Sequence, residues 1–585
     1  QVLPNGNFDG TFAILPSGQL NSICLFQGGA IIGGDFNLVS EIQKNRMAKL
    51  LFCQEETIWN GTSWSNGLPT AEKAIVFSTN YDLLQDTKAC TCSLNLGVIV
   101  KVATGVTLEL GSNYSGSGNL IFENSSSFFQ TDDSVVNTGN IQFKRKTSPV
   151  TTLDYTYWAS PVVGQQLQLL SPNSPMATFY SFDTYLNNWN NEQSTTTMDL
   201  GKGYIFQAPS NFSATIPSIF EAVFSGVPNN GLILLPIEKL TNPILIGNPY
   251  PSALDANAFI LENQKLLQGS LYFWTHNTPS DMGQYTSDDY AVYTLFGGVG
   301  TAAKNNGINN SIPTGKITSG QAFFALGANE QGSVVFKNAM RIKGNNNQFF
   351  KNENSLKTAP TSTFEKHRIW LNLSNSKGLF KQTLLGYASG ATNGQDLLFD
   401  GISLDSNEEL DFYSVNTQFK NSIQARALPF DDSDFIPIGF RVKQEGNYTI
   451  SLDDLDGLFT NQTIYLEDQK ETKIQNLKKG GYTFTTSKGT FDNRLVLRFI
   501  NPNEVAEKIT AAVQVVTSNN LIQISTTKDK ISSVALFSID GKQLFQAIQL
   551  NTKTHSIEAA LWKSKVIIIQ ITLETGEKIS SKLLF

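Results

Sequence analysis

Apolar and polar positions alternate with a period of two through most of this chain, in short runs broken by Gly, Asn and Ser, which predicts half-buried β-strands rather than helices. The pattern is sharpest near the end. Asn520-Leu521-Ile522-Gln523-Ile524 predicts one strand, Ile531 to Ile539 a second, and Lys542-Gln543-Leu544-Phe545 the start of a third. Asp540-Gly541 between the last two predicts a tight turn, because glycine accepts φ > 0 and Asp bonds to nearby backbone. Val566 to Leu573, the turn Glu574-Thr575-Gly576-Glu577, and Lys578 to Phe585 predict a closing hairpin. Ordinary termini are polar and loosely held, whereas this one reads as strand to its last residue.

Upstream, the same alternation divides the chain into four further segments. Residues 1–54 carry Pro4-Asn5-Gly6-Asn7-Phe8-Asp9-Gly10 and Gly28-Gly29-Ala30-Ile31-Ile32-Gly33-Gly34-Asp35-Phe36, apolar runs between glycine turns. Residues 55–146 open on Thr57-Ile58-Trp59-Asn60-Gly61-Thr62-Ser63-Trp64, a cap or edge. Apolar triplets such as Val98-Ile99-Val100 and Leu120-Ile121-Phe122 then recur between polar turns. That recurrence favours a short β-solenoid, with half of a jelly roll as the alternative. Residues 147–357 are the most aromatic, and only Ser252 to Gln268 reads as helix, with Ser252 as its N-cap. A Thr/Pro/Ser-rich linker, Leu356 to Phe364, leads to residues 365–501, where alternation predicts an antiparallel sandwich of immunoglobulin-like size. Residues 513–585 complete the chain. The expected fold class is all-β and multidomain: a partial propeller-type repeat, a short β-solenoid and β-sandwiches, ending in a small immunoglobulin-like domain.

Composition narrows the setting. With 585 residues the chain exceeds one core, since single cores stop growing near about 250 residues. A net charge of -7 argues against a nucleic-acid partner. Charged residues are only 16% of the chain and Phe alone numbers 39, a balance suited to extracellular β-structure. No apolar run reaches the roughly 18–20 residues that span a bilayer. The first residues lack a basic and apolar leader, so a signal peptide is expected to have been removed.

Few residues suggest chemistry. The four cysteines are Cys24, Cys53, Cys90 and Cys92, and an oxidising compartment favours disulfides among them, for example Cys24 with Cys53. Cys90-Thr91-Cys92 is too tight for a common metal clip, and His276, His367 and His555 are the only histidines, so no zinc site is expected. Asp453-Asp454-Leu455-Asp456-Gly457 clusters oxygen ligands and invites calcium, yet lacks the twelve-residue loop with its closing Glu, so it reads first as a turn. Asp431-Asp432-Ser433-Asp434 is read the same way. No nucleophile elbow, His-Glu-x-x-His or phosphate loop occurs, and no catalytic residue is assigned. Trp158, Trp189 and Trp274 are candidates for stacking on sugar rings, with a place in the core as the simpler reading.

The tail's order of strand, Asp540-Gly541-Lys542 turn, long apolar strand, Gly576 turn and final Lys582-Leu583-Leu584-Phe585 resembles the type C sorting domain of the type IX secretion system of Bacteroidetes. The resemblance extends upstream through Asp492 to Phe499, and blocks such as Gly201-Lys202-Gly203-Tyr204 and Ile246-Gly247-Asn248-Pro249-Tyr250 resemble those of flavobacterial proteins bearing that signal. Lys542 stands where Arg is more usual, and Leu561-Trp562-Lys563-Ser564-Lys565 replaces a Gly-rich turn. The first segment resembles one delta-60 repeat, in which Ile31, Ile32 and Phe36 would pack between blades. One blade cannot bury its own face, so either the chain continues a longer protein or this segment docks on its downstream neighbour. The resemblance implies a secreted or cell-surface, non-catalytic, adhesin-like protein. Its partners would be the outer-membrane translocon of that system and its shuttle or attachment barrel, with recognition through Asp540, Gly541, Lys542, Gly576, Lys578, Lys582, Leu583, Leu584 and Phe585. An extracellular carbohydrate-active enzyme or carbohydrate-binding protein, with surface glycans as its ligands, is the alternative.

Overall fold

The structure is a computed structural model, and the residues described are 16–26, 29–39, 42–43, 46–51, 53, 55–239, 241–275, 290–301, 312–347, 364–404, 409–417, 419–502, 513–518, 520–527, 529–562 and 566–584. Strands dominate throughout, and the chain is a multidomain all-β protein. Two compact units result, one of Gln1–Phe430, Ile436–Asn461 and Leu477–Leu495, the other of Asp431–Phe435, Gln462–Asn476 and Val496–Phe585.

In the first unit, Gln19–Phe26, Gly29–Asp35 and Met47–Leu51 form a three-stranded antiparallel sheet. Its own core is small: Ile32, Phe36, Val39 and Ala48 are buried together, while Ile23 and Met47 stay exposed. Ile31, expected to pack inward, is 38% exposed, because it alternates with buried Ile32 on the opposite face. Pro4 to Gly10 lies outside the described residues.

The recurring apolar triplets of residues 55–146 stack as parallel ladders, which decides for the solenoid. Val100 pairs with Tyr81 and Leu120, and Leu108 with Thr87 and Phe128. Inward residues such as Phe77, Val100, Leu108, Leu120 and Phe122 are fully buried. The polar turns serve the backbone: Asn80 Oδ1 accepts from Ile99 N at 2.8 Å, and Asp86 Oδ1 from Thr107 N at 2.8 Å. Gly97 and Gly105, at φ +81° and +78°, supply the left-handed corners.

The solenoid and the aromatic segment are continuous. Strand Ile141–Val150 pairs in parallel with Asn119–Phe122 and antiparallel with Ser218–Gly226. Residues 338–346 then clasp the solenoid. Buried Arg341 donates through Nη2 to Phe128 O at 2.6 Å, through Nε to Ser252 Oγ at 2.9 Å and through Nη1 to Asn230 Oδ1 at 3.1 Å. Asn346 Nδ2 donates to Ser126 O at 2.6 Å. Burial pushes the Arg341 guanidinium down to about 10.

The helix is shorter than the sequence suggests, Ala256–Asn263, and its N-cap is Asp255 rather than Ser252. Asp255 Oδ1 accepts from Asn257 N at 2.8 Å and Ala258 N at 3.2 Å. Ser252 is instead taken by Arg341, and the apolar run Leu267–Trp274 is claimed by the central sheet as a strand.

In the fourth segment, hydrogen bonding runs from Tyr482–Thr486 through Gly446–Leu455, Lys366–Asn375, Phe380–Ala388, Phe419–Ala427 and Leu410–Asn416 to Phe435–Val442. The expectation of an antiparallel sandwich fails at one place: Phe380–Ala388 and Phe419–Ala427 pair in parallel. The long connection between them provides the crossover that a parallel pair requires. Of the expected linker, 356–363 lies outside the described residues.

Candidate functional site

The second unit contains the tail, whose alternating strands fold into two facing sheets. The first has the order Val513–Ser518, Leu521–Thr526, Thr554–Glu558; the second has Gln543–Thr552, Ile531–Ser538, Val566–Leu573, Lys578–Leu584. Ile522, Ile524 and Ile557 from one sheet and Ile531, Val534, Leu536, Ile567, Ile569 and Ile571 from the other share one core. Every second residue of Val566–Leu573 is buried, as the period of two requires.

The turns fall where the residues placed them. Gly541 sits at φ +85° and Gly576 at +86°, conformations a side chain resists. Ser538 N donates to Lys542 O at 2.9 Å and Gly541 N to Ser538 O at 2.9 Å; Gly576 N donates to Leu573 O at 2.9 Å. The Ser538 hydroxyl also donates to Asp540, and this bond holds the Asp540 carboxyl below its usual range.

Register brings some of the candidate residues together and separates others. Ser538 lies opposite Ile567, and Ile567 opposite Leu583, so the Asp540-Gly541-Lys542 turn and the Lys582–Leu584 end share one end of the sheet. Gly576 lies at the other end, since Ile531 pairs with Leu573. Lys578 and Lys582 are exposed on the outer face of the edge strand, and Leu583 is buried in the core. The side chain of Leu584 and all of Phe585 lie outside the described residues. The four strands of this sheet contain no Asp or Glu; Lys578 and Lys582 are their only charged side chains, in a chain of net charge -7.

The other candidates resolve differently. Trp158 is 0% exposed and stacks on Phe206, so no sugar reaches its face. Trp274 is 8% exposed, stacked on Tyr157 with its Nε1 donating to Tyr155 O at 3.1 Å. Only Trp189 is half-buried, its ring edge-on to Tyr157 and Phe182. The sugar-stacking assignment of Trp158 and Trp274 therefore gives way to core packing, for which large apolar rings are the natural filler. His276 lies outside the described residues.

The acidic cluster does not converge on a cation. Asp456 binds Arg368, with Oδ2 accepting from Nε at 2.8 Å and Nη2 at 2.5 Å. Asp453 accepts from Asn372 Nδ2 and Gln382 Nε2, both at 3.2 Å, and Asp454 Oδ1 accepts from Leu455 N at 3.0 Å. Each of these carboxylates is engaged by donors of the chain itself, so the calcium reading gains no support from their arrangement. Asp431 Oδ1 accepts from Ser433 N at 2.9 Å and caps a turn. Among the described residues no group of three or more His, Cys, Asp or Glu is placed to hold a metal. The disulfide joins Cys53 to Cys90 rather than Cys24 to Cys53, and Cys92 is buried inside the solenoid, where its thiol is pushed up.

Three charged groups in the first unit, at two sites, escaped the sequence reading. Asp400, 2% exposed, accepts through Oδ2 from Asp396 N at 2.8 Å and through Oδ1 from Ala425 N at 2.9 Å. Burial pushes its carboxyl up to about 7 despite those two bonds. Lys381 Nζ lies 3.3 Å from Asp411 Oδ1, with side chains 7% and 1% exposed. The sequence carries only a faint signal for this pair, a charge next to apolar residues in Leu379-Phe380-Lys381 and between them in Leu410-Asp411-Phe412.

The fold and these sites define a multidomain all-β protein with a short solenoid and a separate two-sheet terminal domain. Residues 53–499 match the family described as Domain of unknown function (DUF8693), and the chain belongs to that family. Residues 502–585, which take in the whole tail, match a second family, Domain of unknown function (DUF8694). The comparison with curated proteins gave no match. Among solved structures the chain is similar to Tp47, the 47-kilodalton lipoprotein of Treponema pallidum, at 10% identity over 37% of this chain and 87% of that one. The TM-score of 0.13 is too low to carry an argument. No helix among the described residues is long and apolar enough to cross a membrane.

Proposed function

We propose that the chain is a secreted or cell-surface, non-catalytic, adhesin-like protein, delivered across the outer membrane by type IX secretion through recognition of its terminal domain. The observation that carries this reading is the tail itself. It is a two-sheet domain with its own core, it matches a family of its own at residues 502–585, and it ends in an edge strand bearing exposed Lys578 and Lys582. An unpaired edge and a turn at the same end give a partner both backbone hydrogen-bonding groups and side chains to read. The partners in this reading are the outer-membrane translocon and its shuttle or attachment barrel. The Cys53–Cys90 disulfide agrees with passage through an oxidising compartment.

The test is removal of residues 513–585 in the producing cell. The expected result is a folded protein held in the periplasm and lost from the surface and medium; normal surface delivery of the truncated chain overturns the proposal. The carbohydrate-active alternative loses two of its three aromatic candidates to the core. Binding on a polysaccharide panel that disappears on Trp189→Ala would revive it.

A further inference from the structure

The buried Lys381–Asp411 pair is costly if it serves only as a salt bridge. Removing two charges from water carries a desolvation penalty that their attraction only offsets when the geometry is very good, and an apolar pair of equal volume is often as stable. Its geometry is also unusual. Asp411 Oδ1 accepts from Ser403 Oγ at 2.8 Å and from Phe412 N at 2.9 Å, and Lys381 Nζ stands 3.3 Å from that same oxygen and 3.3 Å from Ser403 Oγ. Two fixed donors on one carboxylate oxygen form the arrangement that stabilises negative charge developing on a carbonyl under attack. The amine nitrogen touches the oxygen bonded directly to Cγ, the carbon it would attack, so the reacting groups are already held together.

We propose that Lys381 and Asp411 condense to an intramolecular isopeptide bond, an amide between Nζ and Cγ. A proton passes from the ammonium to Oδ2, leaving a neutral amine and a carboxylic acid. The nitrogen lone pair adds to Cγ, and the charge that gathers on Oδ1 is held by Ser403 Oγ–H and Phe412 N–H. A second proton then moves from nitrogen to Oδ2, the Cγ–Oδ2 bond breaks, and water leaves. Ammonium plus carboxylate become amide plus water, so atoms and charge balance with no oxidant, reductant or co-reactant. The product has no charge left to desolvate, and the two donors remain satisfied on the amide carbonyl oxygen. The bond ties strand Phe380–Ala388 to strand Leu410–Asn416, which are not hydrogen-bonded neighbours because Phe419–Ala427 pairs with both. Such a cross-link would suit a surface protein under mechanical load.

Mass spectrometry of the full chain under reducing, denaturing conditions tests this directly. The expected intact mass is lighter than the sequence by one water. Trypsin normally cuts after Lys381 and next after Lys420, since no Lys or Arg lies between them. With the bond formed it leaves a single product, residues 378–420, lighter by one water, and fragmentation places the loss across Lys381 and Asp411. Recovery of unmodified peptides 378–381 and 382–420 at full mass overturns the proposal. So does water loss with cleavage at Lys381 intact, which indicates a succinimide. Asp411→Ala should restore both the full mass and the cut after Lys381; persistent resistance there would also overturn the assignment.

Discussion

Asp400 makes the stability of the first unit depend on pH in a direction opposite to the usual carboxylate. Most acids are stabilised in their charged form by folding and weaken a protein as pH falls. Asp400 is 2% exposed, and burial raises its carboxyl from 3.8 to about 7, the neighbouring Asp396 carboxylate adding to the rise while the two N–H donors and Arg426 oppose it. A raised pKa means that the folded state binds the proton more tightly than the unfolded one between those two values. Its stabilising contribution is therefore fully present below about pH 4 and is lost as pH rises through about 7. A shift of about three units at about 1.4 kcal/mol each sets an upper bound of roughly 4 kcal/mol. Asp400→Asn keeps the shape and never ionises. Its amide keeps one acceptor and turns a donor towards a backbone N–H, a penalty that is independent of pH and cancels from the slope. The measurement is urea unfolding of wild type and variant, followed by tryptophan fluorescence from pH 4 to pH 8. The stability of wild type minus variant should fall steadily with rising pH, by up to that bound. Two curves that stay parallel across the range would refute the reasoning, because Asp400 would then not titrate there.

Three other substitutions probe separate parts of the first unit. Replacing Cys90 by Ser opens a loop with a sequence separation of 37, which should cost about 4 kcal/mol by loop-closure entropy and lower the unfolding midpoint of the oxidised protein only. Asp255→Ala removes the two cap bonds at the helix start and should cost about 1 kcal/mol, read as a small shift of the urea midpoint. Trp158→Ala should cost about 3–5 kcal/mol while leaving any sugar binding unchanged, which separates core filler from binding face.

What could be read from the sequence tracked the strength of local periodicity. The solenoid was legible because apolar triplets recur at short intervals with polar turns between them, though the same recurrence also fits half of a jelly roll and only the parallel ladders decide between the two. The tail was legible because Asp540-Gly541 and Gly576 fix two turns, and with them the strand ends. The helix was seen but overextended, since nothing local says that Leu267–Trp274 will be taken by a sheet whose other strands are remote in sequence. The Cys53–Cys90 pairing, the crossover behind the parallel pair and the burial of Trp158 and Trp274 are all set by tertiary contacts. Asp400 and the Lys381–Asp411 pair were missed for the same reason: a charge beside apolar residues does not say whether it is buried or what it pairs with.

The tail's second sheet gives the export reading its sharpest exposure to failure. Its four strands hold no acidic residue, and both of their charges, Lys578 and Lys582, stand exposed on the outer face of the edge strand. Neither lysine is needed for folding: each alternates with a buried neighbour, Ile579 and Leu583, and exposed substitutions of this kind usually change stability by no more than about 0.5 kcal/mol. Reversing both charges, Lys578→Glu with Lys582→Glu, should therefore leave the urea midpoint of the protein in place while reducing its surface delivery, and Lys→Arg at both should preserve delivery. Burying a charge beneath the edge instead, with Leu583→Asp, should unfold the domain and abolish delivery for a different reason, visible as a lost transition. If the double reversal is delivered normally, recognition does not run through this edge. The partner would then have to read the other sheet, whose strands carry Glu558, or the turns alone.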